Sequence, residues 1–175
     1  MLDYVLVFAP TVEKHINTQI PVILKDKPAY LKGVFNLPGG KLEKNESVLE
    51  ASVRELYEET GLTTLACRDC QPELMGQIIC HENVIYCVKI PVSIRQDLKP
   101  RAEETEKVNW YNIDYILEHK SLMPNLRIII PFCQLGYKDW IIVDEGNFRS
   151  KNHSFAVNLG VGFSFTATVE GYSNV

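Results

Sequence analysis

The segment LPGGKLEKNESVLEASVRELYEETGL, residues 37–62, constrains the fold more than any other part of the chain. Pro38, Gly39 and Gly40 cannot continue a regular element, and glycine permits close backbone approach. Ser47 with Glu50 three positions on is a capping-box pattern, and Gly61 is a good C-terminal stop. The spacing predicts a helix over 47–60. On a wheel of about 100° per residue, Leu49, Val53 and Leu56 form an apolar stripe. Glu55, Glu58 and Glu59 gather on the other side, within an arc of about 100°. A fold built on this helix seats one face on a core and turns three carboxylates toward one point.

Like charges one turn apart repel, so the crowding calls for a reason. One reason is a solvated acidic surface. The other is a hard-cation site, because Mg²⁺ takes oxygen ligands, commonly one or two carboxylates with substrate phosphates and waters. A bound cation turns the repulsion into shared coordination. The flanks favour the second reason. Glycines before a helix N-terminus suit an anion, and Arg54 can pair with a neighbouring glutamate and hold it in place.

The 175 residues read as one ordinary α+β domain: 46% of the chain is hydrophobic and 23% charged, enough for a sizeable core. Strands are expected at 4–8, 20–25, 31–37, 73–80, 84–92 and 107–113, with a hairpin around His81, Glu82 and Asn83. A second helix is expected from 114 with Asp114 as its cap, and 126–137 is an apolar helix or strand. Beyond it, 139–145 reads as a strand and 154–172 alternates like a β-ribbon. The domain is expected to span 1–137. Residues 138–175 form a β-rich extension packed on the same domain or on a partner in a homodimer.

A net charge of −4 gives no bulk nucleic-acid signature, because phosphate-binding surfaces are basic. No apolar run reaches bilayer length and the start lacks signal-peptide features, so the expected compartment is the cytoplasm. Five cysteines without an export signal argue for reduced thiols. Cys67 and Cys70 have C-x-x-C spacing, but no second pair completes a zinc site, and ordinary thiols are the favoured reading.

Residues 40–62 resemble the Nudix box, G-x5-E-x7-R-E-U-x-E-E-x-G-U with U a bulky aliphatic. Gly40, Glu46, Arg54, Glu55, Leu56, Glu58, Glu59, Gly61 and Leu62 fill every defined position. The approach FNLPGG also looks like the family's. The resemblance implies the Nudix fold, a mixed β-sheet between helices. It implies hydrolysis of a diphosphate bond in a nucleoside diphosphate derivative, with Mg²⁺ or Mn²⁺ as cofactor. By the same resemblance Glu55, Glu58 and Glu59 are metal ligands, joined by the Gly39 carbonyl. Glu46 lies nearer the structural end, Arg54 orients a catalytic carboxylate, and Glu55 is the first candidate for general base. An acid shortly before a strand tryptophan resembles a further ligand. Glu103, Glu104 and Glu106 precede Trp110, and Glu104 is preferred by its distance.

Substrate markers are weaker. The pattern of the NADH-cleaving group is missing, as is the proline typical of ADP-ribose pyrophosphatases. Asn125 stands where nucleoside-triphosphate-cleaning members read the base, an edge that a carboxamide can match, but a turn or helix cap after Pro124 is the rival explanation. Tyr30 and Phe35 can stack on a base or simply fill the core; Phe35, Gly39, Gly40 and Asn125 are the expected substrate contacts. The resemblance therefore points first to a (deoxy)nucleoside triphosphate pyrophosphohydrolase of housecleaning type, with ADP-ribose or dinucleoside polyphosphate hydrolysis as the alternative. A non-catalytic ligand-binding module is disfavoured, since no acid of the box is lost.

Overall fold

The computed structural model describes residues 2–13, 17–80, 83–144, 152–159 and 164–170. Among the described residues nine strands form two sheets. In chain order they are β1 (Leu2–Phe8), β2 (Gln19–Leu24), β3 (Phe35–Asn36), β4 (Glu73–Cys80), β5 (Asn83–Lys89), β6 (Lys107–Asn112), β7 (Trp140–Asp144), β8 (Asn152–Asn158) and β9 (Ser164–Glu170). The larger sheet has the order β1-β5-β4-β7-β8-β9, and β3-β2-β6 form the smaller one. β1 lies parallel to β5 and β7 parallel to β4, whereas the other pairings are antiparallel. The larger sheet is thus mixed, as expected.

Among the described residues three α-helices accompany the sheets: α1 (Val48–Thr60), α2 (Ile113–Glu118) and α3 (Leu126–Leu135). Strand alternation divides β1 and β5 between two cores. Leu6, Phe8 and Cys87 face the core that holds α2, α3, Trp140 and Phe155. Val7 and Val88 face Leu56 of α1. The mixed sheet therefore lies between α1 and α3.

Local chemistry sets the ends of α1. The Ser47 side chain accepts from Glu50 N, the Glu50 side chain accepts from Ser47 N, and Gly61 closes the helix at φ 75°. Here the expectation is met. The expected apolar stripe is met in part, with Leu56 buried and Val53 packed on the same cluster. Leu49 is exposed and Val53 half-buried; the buried side consists of Ala51, Ser52, Leu56, Glu59 and Thr60. The wheel ignored that a glutamate can be buried when a backbone N–H receives it.

Three further expectations are corrected. The cap of α2 is Asn112, whose side chain accepts from Asp114 N, rather than Asp114 itself. The strand expected over 31–37 shrinks to β3, because Ala29–Leu31 form a 3₁₀ turn. Cys67 and Cys70 are joined as a disulfide on a second 3₁₀ turn, against the expectation of reduced thiols, whereas Cys80, Cys87 and Cys133 are free and buried. The 126–137 segment resolves as helix, α3. His81 and Glu82 of the expected hairpin turn lie outside the described residues.

The segment beyond 138 joins the sheet. β7 pairs with β4 from Gly76↔Trp140 to Cys80↔Asp144, and β8 continues from β7. Trp140, Ile142, Phe155 and Val157 are buried in the same core as α3. Burying apolar side chains of this size contributes about 1.5–3 kcal/mol each.

Candidate active site

The glycine turn is held against β1. Val7 N donates to Pro38 O at 2.7 Å and Val5 N to Gly40 O at 2.8 Å. A Cβ on Gly39 would stand 2.2 Å from the Val5 carbonyl oxygen, and one on Gly40 would stand 2.3 Å from Oε1 of Glu55. Only glycine permits this approach. The turn thereby reaches α1, and Gly39 N donates to Glu59 Oε2 at 2.8 Å.

Arg54 is the hub of the acidic face. Its Nε and Nη2 grip Glu46 at 2.8 and 2.9 Å, while Nη1 donates to Glu55 at 2.7 Å and to Glu58 at 3.2 Å. Nη2 also donates to Lys41 O at 3.1 Å. The bond from Arg54 keeps the Glu46 carboxyl below its ordinary range, and the same bond, with help from Glu55, keeps the guanidinium firmly charged.

Glu59 is 9% exposed. Burial pushes its pKa up to about 8, against the pull of Lys25 and the Gly39 N–H; the charges of Glu55 and Glu104 push the same way as burial. Glu55 is also raised, chiefly by burial and opposed by Arg54, with Glu58 and Glu104 adding to the rise. The carboxylates thus repel one another through space that water screens poorly.

The loop before β6 divides its acids. Glu104 is half-buried and acts electrostatically on Glu55 and Glu59, whereas Glu103 is exposed. Glu106 accepts from Lys25 Nζ at 2.6 Å and from the backbone N–H groups of Asp26 and Lys27. Burial raises its pKa, but these donors outweigh burial and leave it below the ordinary range. The preference for Glu104 therefore has a spatial counterpart: of the three, it carries its charge to the acidic face without being tied down as Glu106 is.

Two cations here escaped the sequence reading. Lys25 Nζ stands between Glu106 and Glu59, 3.9 Å from Glu59 Oε1. Arg101 Nη1 stands 2.7 Å from Glu58 Oε1. Neither lies in the box, and only folding brings the end of β2 and the loop before β6 to it.

Of the expected substrate contacts, Gly39 and Gly40 lie against Glu59 and Glu55, whereas Phe35 and Asn125 meet on neighbouring backbone. Phe35 packs edge-on to Tyr111 at 5.3 Å and to His119 at 4.6 Å. Its backbone bonds to Ser121 and Met123 join β3 to the start of α3. Asn125 is there, 6% exposed, at the N-cap position of α3 as the turn-or-cap reading expected, although its side chain makes no capping bond. Its Oδ1 is buried and has no hydrogen-bond partner among the described residues, an arrangement that costs about 1–3 kcal/mol unless a ligand satisfies it. Tyr30 is exposed. A hollow of about 520 Å³ is lined elsewhere, by residues such as Phe8, Thr18, Asp69, Cys70 and Lys89. It contains none of the box residues, so the chemistry follows the carboxylates rather than the hollow.

Among the described residues no three carboxylate, imidazole or thiolate groups already close into a cage for an ion. Glu55, Glu58 and Glu59 are held instead by Arg54, Arg101, Lys25 and the Gly39 N–H. The donors are all oxygens, and protein cations already occupy the place where positive charge is wanted. That donor set suits a hard divalent ion such as Mg²⁺ or Mn²⁺.

Comparison with known proteins agrees with this geometry. A NUDIX domain is recognised over residues 13–132. An ADP-ribose pyrophosphatase of Methanocaldococcus jannaschii is 54% identical over 41 residues, covering 23% of this chain and 24% of that protein. An 8-oxo-dGTP diphosphatase of Proteus vulgaris is 39% identical over 57 residues, covering 31% of this chain and 47% of its own. The alignments span between 15% and 47% of the length of the curated relatives. The crystal structure of the mutator MutT protein from Bacillus halodurans superposes with a TM-score of 0.58 at 22% identity, covering 82% of this chain and 89% of that one, and it shares the fold. With the domain matched over most of its length and the complete box folded around Arg54, the chain belongs to the Nudix family.

Proposed function

We propose that the protein is a metal-dependent pyrophosphohydrolase of (deoxy)nucleoside triphosphates, consuming one water and releasing a nucleoside monophosphate and inorganic diphosphate. The observation that carries the substrate class is the buried, partnerless Oδ1 of Asn125. A carboxamide offers both a donor and an acceptor, as a base edge requires. From Phe35, bonded to Met123 beside Asn125, to Gly39, bonded to Glu59, the chain runs four residues. Extended backbone of that length spans at most about 13 Å, a reach suited to a nucleoside with its phosphates.

Mg²⁺ or Mn²⁺, held by Glu55, Glu58, Glu59, Glu104 and the Gly39 carbonyl, would neutralise diphosphate oxygens and make a water more acidic. Glu55 accepts the proton of the attacking water. Its raised pKa brings it closer to the pH at which it must give and take protons. Arg54 fixes the rotamer of Glu55 through the 2.7 Å bond. Gly39 and Gly40 leave room beside the carboxylates, Phe35 walls the base side, and Lys25 adds positive charge near Glu59.

The test is a nucleotide panel with Mg²⁺, comprising triphosphates that include 8-oxo-dGTP, ADP-ribose and dinucleoside polyphosphates, with products separated by chromatography. The expected result is highest kcat/KM on a triphosphate, with KM raised about tenfold or more in Asn125→Ala. Preferential cleavage of ADP-ribose, with Asn125→Ala unaffected, would overturn the substrate reading.

A further inference from the structure

Arg101 lies outside the box, yet it is fastened to the box at two points. Its backbone N donates to Glu58 O at 2.9 Å, and its Nη1 stands 2.7 Å from Glu58 Oε1. Its guanidinium lies 5.7 Å from the ring centroid of Tyr57. The neighbouring backbone is docked too: Lys99 N donates to Thr60 O at 2.8 Å, and Glu104 N donates to Arg101 O at 3.0 Å. The turn that carries Glu104 is therefore seated on the last turn of α1 with Arg101 at its centre.

Glu58 has both oxygens taken, Oε1 by Arg101 and Oε2 by Arg54 at 3.2 Å. The two guanidinium groups are not equally bound. Arg54 is also tied to Glu46, Glu55 and Lys41 O, with its side chain 22% exposed. The Arg101 side chain is 52% exposed, and Glu58 is its ion-pair partner among the described residues. Half-exposed pairs are weak and easily exchanged. A divalent ion that takes an oxygen of Glu58 displaces Arg101 first. The backbone bond to Glu58 O can persist, so the freed guanidinium stays beside the site. There a diphosphate offers it paired oxygens, which a guanidinium matches bidentately.

We propose that Arg101 is a positioning residue with two stations, on Glu58 before a cation binds and on the substrate's diphosphate afterwards. The inference rests on the metal-dependent reading above. It makes Arg101 a competitor of the ion in the free protein and a partner of the substrate in the complex, a combination that a merely structural latch does not have.

The experiment measures Mn²⁺ binding to nucleotide-free protein by the electron paramagnetic resonance of free Mn²⁺, and steady-state kinetics on the triphosphate that the panel selects. Wild type, Arg101→Ala and Arg101→Lys are compared, with thermal melts confirming that each is folded. The expected result for Arg101→Ala is Mn²⁺ binding tighter by about 3–10-fold, with KM raised about tenfold or more and kcat changed by less than about threefold. Arg101→Lys, which keeps the charge and loses the planar fork, falls between. Unchanged or weaker Mn²⁺ binding in Arg101→Ala would overturn the proposal, as would an unchanged KM. A wild type that binds no Mn²⁺ would remove the metal reading and this inference together, whereas equal binding in wild type and Arg101→Ala would remove this inference alone.

Discussion

Glu59→Gln offers a test of the acidic face that needs no substrate. On folding, burial takes this carboxyl from an ordinary 4.5 to about 8. Below pH 4.5 the group is protonated in both states and its effect on stability is fully present. Between 4.5 and 8 the folded chain keeps the proton and the unfolded chain releases it. Stability therefore falls as pH rises through that window and levels off above about 8. At about 1.4 kcal/mol per unit, the full drop is at most about 5 kcal/mol, comparable with the whole stability of a small domain. In a domain of this size 1 kcal/mol shifts Tm by about 2–4 °C, and the part of the window above pH 5 carries about 4 kcal/mol of the drop, so Tm should fall by at most about 8–16 °C from pH 5 to pH 9. Glutamine keeps an oxygen for the Gly39 N–H and cannot ionise. The variant should lose most of the slope and be the more stable protein at pH 9. Glu55, raised in the same direction, leaves a residual slope, whereas Glu46 and Glu106, both lowered, act in the acid range with opposite sign. The assay is scanning calorimetry in chelator from pH 5 to pH 9. Parallel Tm curves for wild type and variant would refute the argument that burial of Glu59 carries the titration. Added Mn²⁺ should flatten the wild-type curve and leave the variant's nearly unchanged.

Chelation should abolish turnover and Mg²⁺ or Mn²⁺ restore it; full activity in excess chelator, read by phosphate release, would remove the metal mechanism. Glu58→Gln and Glu59→Gln should each lower kcat about 10²-fold while the protein stays folded, and wild-type rates in both would make the acids surface decoration. Gly39→Ala should destabilise by about 2–4 kcal/mol, because the new Cβ meets the Val5 carbonyl at 2.2 Å; an unchanged denaturation midpoint would mean that the turn yields. Truncation after Tyr137 should give an insoluble or partly folded product, since it removes Trp140, Ile142, Phe155 and Val157 from the core. A soluble, active truncation would show these strands to be dispensable.

The helix of the box was legible because its signals are local. Ser47, Glu50 and Gly61 act within a turn of their own backbone, and the structure has all three in the expected roles. The buried side of the helix was less legible. Leu49 faces solvent and Glu59 faces inward, because the glycine turn that precedes the helix folds back and meets Glu59 at the helix's far end. Lys25 and Arg101 carried no local signal, since their meaning comes only from strand pairing and loop docking. The Asn112 cap was missed for the neighbouring Asp114 by a shift of two residues, a usual uncertainty at helix ends. The alternation beyond 138 was visible, but its place beside β4, extending one end of the larger sheet, depends on long-range pairing that periodicity does not encode.

The position of β7 has a consequence for how the chain is made. β4 ends at Cys80, and its partner on one side, β7, begins only at Trp140. While a ribosome synthesises the intervening residues, the nascent chain carries β4 with one ladder of backbone donors and acceptors unmatched. Open edges of this kind recruit other strands, and non-local pairing forms slowly. The larger sheet can close only after β7 has emerged, so during synthesis β4 stays exposed for the time it takes to make α2 and α3. Those helices are buried in the same core as Trp140 and are made immediately before it. They are thus placed to cover the apolar face of the unfinished sheet until its missing strand arrives.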